Sequence, residues 1–141
     1  MSPTDKTKIL LLDDESFLLE LYALRFLKSG YDVFTTRSVD EALKILRGGY
    51  VPAVILFDIT MPEKNGYQFL EGLSALPVYA SALKVALTNE GQDGALHHLG
   101  ELGADAHILK AKYTPAEVVE QVNALLAARQ SPTAPLYPTQ S

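Results

Sequence analysis

Residues 8–14 read Lys-Ile-Leu-Leu-Leu-Asp-Asp, a short apolar run that ends in two acids. An apolar run of this length, without polar alternation, is typical of a strand covered on both faces in a parallel sheet. Three further apolar runs end on a polar residue: Asp58 follows 54–57, Thr88 follows 85–87 and Lys110 follows 107–109. The chain therefore predicts several buried strands whose carboxyl ends carry chemically useful side chains.

Longer amphipathic segments separate these runs, which is the pattern of repeated β-α units and predicts an α/β fold with a parallel sheet. Ser38 with Glu41 and Thr114 with Glu117 form capping boxes that mark two helix starts. We predict strands at about 8–12, 31–36, 53–57, 83–87 and 106–109. We predict helices at about 16–29, 39–47, 65–75, 91–102 and 115–128.

The 141 residues are predicted to form a short leader (1–7), one domain (8–129) and a flexible tail or linker (130–141). The tail is rich in Pro, Ser and Thr and has no apolar period. The absence of Cys excludes disulfides and zinc thiolates, and is compatible with a cytoplasmic location. A net charge of −5 argues against direct nucleic-acid binding. No apolar run approaches the roughly 18 residues of a membrane span.

The polar strand ends are expected to meet, because in an open parallel sheet the carboxyl ends of the strands face one crevice. Asp13, Asp14, Asp58, Thr88 and Lys110 would then form one site. Three carboxylates at close range repel, and one of them should take up a proton unless a cation intervenes. Mg²⁺ is the cofactor expected here, because it prefers oxygen ligands and needs only one or two carboxylates.

Such a site suits phosphoryl transfer to a carboxylate. Asp58 is the expected nucleophile and would carry the group as an acyl phosphate. Lys110 would supply a positive charge, and Thr88 a hydroxyl donor, to the phosphoryl oxygens. No Gly-rich phosphate-binding loop follows any predicted strand. The donor is therefore expected to be a small molecule or a phosphorylated side chain of another protein.

Over about residues 8–129 the chain resembles the receiver domains of two-component response regulators. The resemblance rests on motif elements in a fixed order, each at a strand end: Asp13-Asp14, Asp58-Ile59-Thr60-Met61-Pro62 with Gly66, Thr88 and Lys110. A single element would be weak evidence, because paired acids are common, but the ordered set is specific.

The resemblance implies a doubly wound, flavodoxin-like sheet of five strands in the order 2-1-3-4-5. It implies that a sensor histidine kinase or phosphotransfer protein passes its phosphoryl group to Asp58, and that the product acts on a downstream protein. Asp14, Asp58 and the backbone carbonyl of Thr60 would bind Mg²⁺, and Asp13 would act through a water. Such a protein catalyses only its own phosphorylation and dephosphorylation, and is not otherwise an enzyme.

Three positions depart from the common family pattern, the last of them Asn89, where a small residue commonly follows the threonine. Ala111 stands where the family usually has a cis proline, so the Lys110–Ala111 bond is expected to be either trans in a reshaped loop or cis under strain. His107 stands where the family usually has Tyr or Phe, whose side chain rotates to report the signal. Thr88 is the other predicted switch residue. His107 is either a second switch residue or a half-buried side chain without a signalling role.

Three alternatives remain open at this point. The chain is either a stand-alone switch or a receiver excised from a longer protein. It is also compatible with a receiver-like interaction domain that is never phosphorylated. A flavin-binding relative on the same fold is disfavoured, because Asp13-Asp14-Glu15 would repel a phosphate after the first strand.

Overall fold

The computed structural model describes residues 6–89 and 93–130. Its five strands form one parallel sheet in the order β2-β1-β3-β4-β5. The strands are β1 (Lys8–Leu12), β2 (Asp32–Thr36), β3 (Val54–Asp58), β4 (Leu83–Thr88) and β5 (Ala106–Leu109). The predicted fold class and strand order are confirmed.

Two strands extend one residue further than predicted. β3 includes Asp58 and β4 includes Thr88, whereas the sequence analysis placed each residue just after its strand. Asp58 pairs with Leu87, and Thr88 pairs with Leu109, in the ladder of the sheet. Both candidate site residues therefore lie on strand backbone rather than on a loop.

Six α-helices lie within the described residues, and Lys110–Lys112 form a 3₁₀ turn. The helices are α1 (Ser16–Lys28), α2 (Val39–Arg47), α3 (Gly66–Leu73), α4 (Val78–Ser81), α5 (Asp93–Glu101) and α6 (Pro115–Gln130). α4 was not predicted, because a single turn after Pro77 is too short to show a helical period. The predicted start of the helix at residue 91, leader residues 1–5 and tail residues 131–141 lie outside the described residues.

Alternate residues of the central strands enter two separate cores, so the sheet is buried on both faces. Ile9, Leu11, Leu56, Val85 and Leu87 pack on the side of α1 and α6. The opposite core, beside α2, α3 and α5, contains Leu10, Leu12, Ile55, Phe57 and Ala86. This arrangement leaves only the rims of the sheet for a site. Within the described part of the chain, no helix is long and apolar enough to cross a membrane.

Of the two predicted capping boxes, the one at Thr114 forms in full, whereas at Ser38 the Glu41 side chain accepts from the Arg37 amide instead of the Ser38 amide. The Glu41 amide donates to Ser38 Oγ over 3.1 Å at the start of α2. At the start of α6, the Thr114 amide donates to Glu117 Oε1 over 2.9 Å, and the Glu117 amide donates to Thr114 Oγ1 over 3.2 Å. These bonds satisfy amides that the first helical turn leaves without a partner.

Candidate functional site

The predicted site residues meet at the carboxyl edge of the sheet. Asp13 follows β1, Asp58 and Thr88 end β3 and β4, and Lys110 follows β5. Backbone pairing continues past the strands, because the Asp13 amide donates to the Thr36 carbonyl over 3.1 Å. Strand pairing therefore holds the main chain at this edge, and the side chains project from a rigid rim.

Lys110 joins the acids that come from the other strands. Its Nζ lies 3.2 Å from Asp13 Oδ2 and 3.2 Å from Asp58 Oδ2. Glu15 Oε1 lies 3.8 Å from the same ammonium, a contact that the sequence analysis did not predict. The Lys110 side chain is largely buried, so these ion pairs are only weakly screened by water. The predicted gathering of distant acids and one lysine is present in the structure.

Asp13, Asp14 and Asp58 each present a carboxylate oxygen, and these oxygens lie within 4.8 Å of one another. Asp13 and Asp58 are buried and Asp14 is half-buried. The Glu15 amide donates to Asp13 Oδ1 over 3.0 Å. Three carboxylates facing one ammonium leave an excess of negative charge at a crowded, oxygen-rich site. This donor set fits a hard divalent cation such as Mg²⁺.

Thr60 was predicted to contribute its backbone carbonyl to the metal site. Its amide donates to Asp58 Oδ1 over 3.3 Å, which places the residue beside the phosphoacceptor candidate. The assignment of its carbonyl as a ligand stays a prediction. The loop after β3 is held closely at its far end, where a Cβ on Gly66 would collide with the backbone of Ile59.

The electrostatic crowding changes the acidity of the site. Burial raises the pKa of Asp58 to about 6, and Asp13 adds to the rise while Lys110 opposes it. For Lys110, burial alone would lower the pKa, but Asp58 and Asp13 outweigh burial and raise it. Asp58 is therefore the carboxylate most prone to hold a proton, yet it remains largely ionised at neutral pH.

The hydroxyl oxygen of Thr88 is buried and has no hydrogen-bond partner. Among the described residues, it is the only buried side-chain oxygen or nitrogen in this state. Leaving a buried hydroxyl unpaired costs about 1–3 kcal/mol. The hydroxyl lies at the end of β4, on the same sheet edge as Asp58 and Lys110. An arriving oxyanion is the kind of ligand that would satisfy it.

The Lys110–Ala111 bond is trans, since none of the peptide bonds described for the chain is cis. The chain turns here through the 3₁₀ segment Lys110–Lys112. Of the two alternatives stated in the sequence analysis, the trans bond is confirmed. The reason is that a cis bond before a non-proline residue costs about 2.5–4 kcal/mol.

His107 is half-buried on β5 and is not part of the acidic cluster. It pairs with Ala86, two residues before Thr88 along β4. Because alternate residues of a strand share a face, His107 lies on the same face of the sheet as Thr88. Its role as a switch stays a prediction.

Tyr22 is a neighbour of the site that the sequence analysis did not identify. It is buried on α1 beside Leu19 and Phe26. Burial raises the pKa of Tyr22 to about 12, and the charges of Lys110 and Asp13 also act on it. The only signal in the sequence is its helical spacing from the core residues, which indicates burial but not proximity to Lys110.

The comparisons with known proteins agree with this geometry. The family model described as "Response regulator receiver domain" matches residues 9–123. The chain is 33% identical over 133 residues to the "Probable transcriptional regulator ycf27" of Cyanophora paradoxa, covering 92% of this chain and 52% of that protein. It is 32% identical over 121 residues to the "Response regulator SaeR" of Staphylococcus epidermidis, covering 86% and 51%.

Solved structures share the fold. The chemotaxis response regulator CheY4 of Vibrio cholerae has a TM-score of 0.78 at 22% identity, covering 85% of this chain and 98% of that one. A CheY-like receiver domain protein from Methanospirillum hungatei has a TM-score of 0.76 at 23% identity, covering 87% and 95%. The chain spans about half the length of the curated relatives that it matches. It belongs to the response regulator receiver domain family, whose members are phosphoryl-accepting signalling switches.

Proposed function

We propose that Asp58 accepts a phosphoryl group from the phosphohistidine of a sensor histidine kinase or phosphotransfer protein, or from a small phosphodonor. The observation that carries the proposal is the Lys110 ammonium, which lies 3.2 Å from both Asp13 and Asp58 at the edge where Thr88 has an unpaired hydroxyl. A buried nucleophile, a positive charge and a free hydroxyl are what transfer to a carboxylate needs.

In the proposed reaction, an ionised oxygen of Asp58 attacks the phosphorus atom. The new P–O bond forms as the P–N bond breaks, and the leaving imidazole nitrogen keeps the electron pair. Above about pH 6 most of Asp58 is ionised and able to attack. Burial of Asp58 excludes water from the nucleophile and removes a hydration shell that would otherwise have to be displaced during the reaction.

Lys110 and Thr88 act on the group that arrives. Lys110 Nζ already contacts Asp58 Oδ2, so it is close enough to pair with a phosphoryl oxygen attached to that side chain. The Thr88 hydroxyl gains its missing hydrogen bond from the same group. Both residues therefore gain interactions in the phosphorylated state, which favours that state.

The acidic cluster would hold Mg²⁺ through Asp14, Asp58 and the Thr60 carbonyl, with Asp13 acting through a water. When bound, the ion supplies positive charge that offsets the repulsion between these carboxylates and the phosphoryl oxygens. The three carboxylates fit the ion because oxygens of Asp13, Asp14 and Asp58 already lie within 4.8 Å of one another.

Phosphorylation is proposed to change the affinity for a downstream protein. Movement of Thr88 toward the phosphoryl group would alter the face of the sheet that Thr88 shares with His107. His107 is the second switch candidate on that face. If His107→Ala leaves partner binding and its dependence on phosphorylation unchanged, His107 has no part in the switch. The cytoplasmic location expected from the sequence stays a prediction.

Intact-protein mass spectrometry tests the reaction. With acetyl phosphate and Mg²⁺, the wild type should gain the mass of one phosphoryl group, and Asp58→Asn should gain none. Omitting the divalent cation should prevent the gain. Asp40→Asn is a matched control, because Asp40 also pairs with a lysine, at 2.7 Å from Lys64, but is exposed and remote from the site in sequence.

The control should be phosphorylated like the wild type. Equal phosphorylation of Asp58→Asn and wild type would show that another residue is the acceptor. A wild type that never gains the group, under conditions that phosphorylate another receiver protein, would favour the unphosphorylated interaction domain.

A further inference from the structure

Glu15 stands at the mouth of the site, on the solvent side of Lys110. Its Oε1 lies 3.8 Å from the Lys110 ammonium, and its side chain is 65% exposed. The other two acids that contact this ammonium, Asp13 and Asp58, are almost completely buried. Glu15 is also the N-cap residue of α1, but its side chain accepts no hydrogen bond from the helix. Its carboxylate therefore contacts the site and does not cap the helix.

The charge of Glu15 decides the net charge that an approaching anion meets. Asp13, Asp14, Asp58 and Glu15 supply four carboxylates against the one ammonium of Lys110, which gives a net charge of −3 when all are ionised. A bound divalent cation would bring this total to −1. Glu15 is not one of the three clustered acids that fit the cation, so direct coordination does not cancel its charge. Loss of the Glu15 charge alone would make the loaded site neutral.

We propose that Glu15 is a specificity-determining residue that selects the phosphodonor by its charge, an inference that rests on the phosphorylation of Asp58 proposed above. Near neutral pH acetyl phosphate is a dianion. Phosphoramidate carries a protonated nitrogen and only one net negative charge, and a phosphohistidine with a protonated ring has the same pattern. Glu15 repels the dianion more strongly, because Coulomb energy is proportional to the charge of the donor.

The same transfer takes place with either small donor. Asp58 forms the new P–O bond in both reactions. Acetate leaves acetyl phosphate with the electron pair of the broken P–O bond, and ammonia leaves the protonated nitrogen of phosphoramidate with that of the broken P–N bond. Glu15 takes no part in these bond changes. It acts on the approach of the donor, and favours donors whose leaving group is a cationic nitrogen.

Rates of phosphorylation by the two donors, followed by intact-protein mass spectrometry with saturating Mg²⁺, test this selection. The measured quantity is the rate with acetyl phosphate divided by the rate with phosphoramidate, so a general loss of activity cancels. Glu15→Gln should raise this ratio on the order of threefold, because exposed charges interact weakly through water. Glu15→Lys changes the charge by two units and should raise the ratio on the order of tenfold. Glu15→Asp keeps the charge and should keep the ratio.

The backbone contact of Glu15 is the same in every variant, because its amide and not its side chain donates to Asp13 Oδ1, over 3.0 Å. Asp32→Asn is the matched control. It also removes one exposed acid, but Asp32 begins β2 and so lies at the edge of the sheet opposite the site. Its ratio should equal that of the wild type. High salt should reduce the differences between the Glu15 variants, since it screens exposed charges.

Equal ratios in the wild type, Glu15→Gln and Glu15→Lys would overturn the role of Glu15 and leave the proposed function intact, provided that both donors phosphorylate the wild type. A shift in Glu15→Asp as large as that in Glu15→Gln would also overturn it, because the charge is unchanged in that variant. A wild type that accepts a phosphoryl group from neither donor would overturn the proposed function and this inference together.

Discussion

Replacing Asp58 by Asn should stabilise the fold when no divalent cation is present. The cause is the burial of Asp58, which raises its pKa from 3.8 to about 6, with Asp13 adding to the rise and Lys110 opposing it. One pKa unit corresponds to 1.36 kcal/mol, so the rise equals about 3 kcal/mol of disfavoured ionisation. Asn resembles the neutral acid in shape and lacks this charge, while Lys110 keeps its ion pair with Asp13.

The effect should depend on pH in a defined way. The Asp58 carboxyl holds its proton more tightly in the folded chain than in the unfolded chain. The free energy of unfolding of the wild type therefore falls as the pH rises from about 4 to about 6. Above that window the loss is complete and constant. The variant should therefore be more stable than the wild type by about 2–3 kcal/mol near pH 8, and the difference should vanish near pH 4.

Urea unfolding in the presence of a chelator, at a series of pH values, measures this difference. With a slope of about 1–3 kcal/mol per molar urea, the midpoint of the variant should exceed that of the wild type by about 1 M or more near pH 8. Asp40→Asn is the control, because its carboxylate is 69% exposed and should change stability by less than about 0.5 kcal/mol. The claim that burial and neighbouring charge disfavour ionised Asp58 would be refuted if Asp58→Asn were less stable than the wild type at pH 8. It would also be refuted if the extra stability of the variant persisted unchanged to pH 4.

Two further substitutions probe the site and the end of α5. Thr88→Val removes an unpaired buried hydroxyl, so the variant should be as stable as the wild type or more stable by up to about 1 kcal/mol. A clearly lower stability in urea unfolding would mean that the Thr88 hydroxyl has a hydrogen-bond partner in the folded protein. Gly103→Ala should destabilise by about 2 kcal/mol, because φ is +107° there and a Cβ would collide with the Tyr79 hydroxyl. Gly100→Ala is its control, since the helical position is open, and should be neutral or stabilising by up to about 1 kcal/mol in the same assay.

The strands and the site residues could be predicted from the sequence because their signals are local. A buried parallel strand must be apolar along its whole length, so a polar residue at its end is conspicuous. Asp58 and Lys110 were found in this way. The cap at Thr114 was equally readable, since it needs only two residues at a fixed spacing.

Other local features were missed or misplaced. Asn65 and Gln68 form a capping box that starts α3 at Gly66, although the sequence analysis started the helix at 65. This signal is local, since it needs only two residues at a fixed spacing. The end of α3 at Leu73 was placed two residues too late. Ser74, in right-handed conformation at the helix end, gives no glycine signal to mark it.

The sequence by itself determined the order along the chain of the five strands and of the helices other than α4, and the chemical type of each side chain at the strand ends. Only the tertiary structure decided that Lys110 contacts both Asp13 and Asp58, that the hydroxyl of Thr88 is unpaired, and that Glu15 lies beside Lys110. The physical reason is distance along the chain. Periodicity and capping involve residues within one or two turns, whereas an ion pair across 97 residues depends on how the whole sheet assembles.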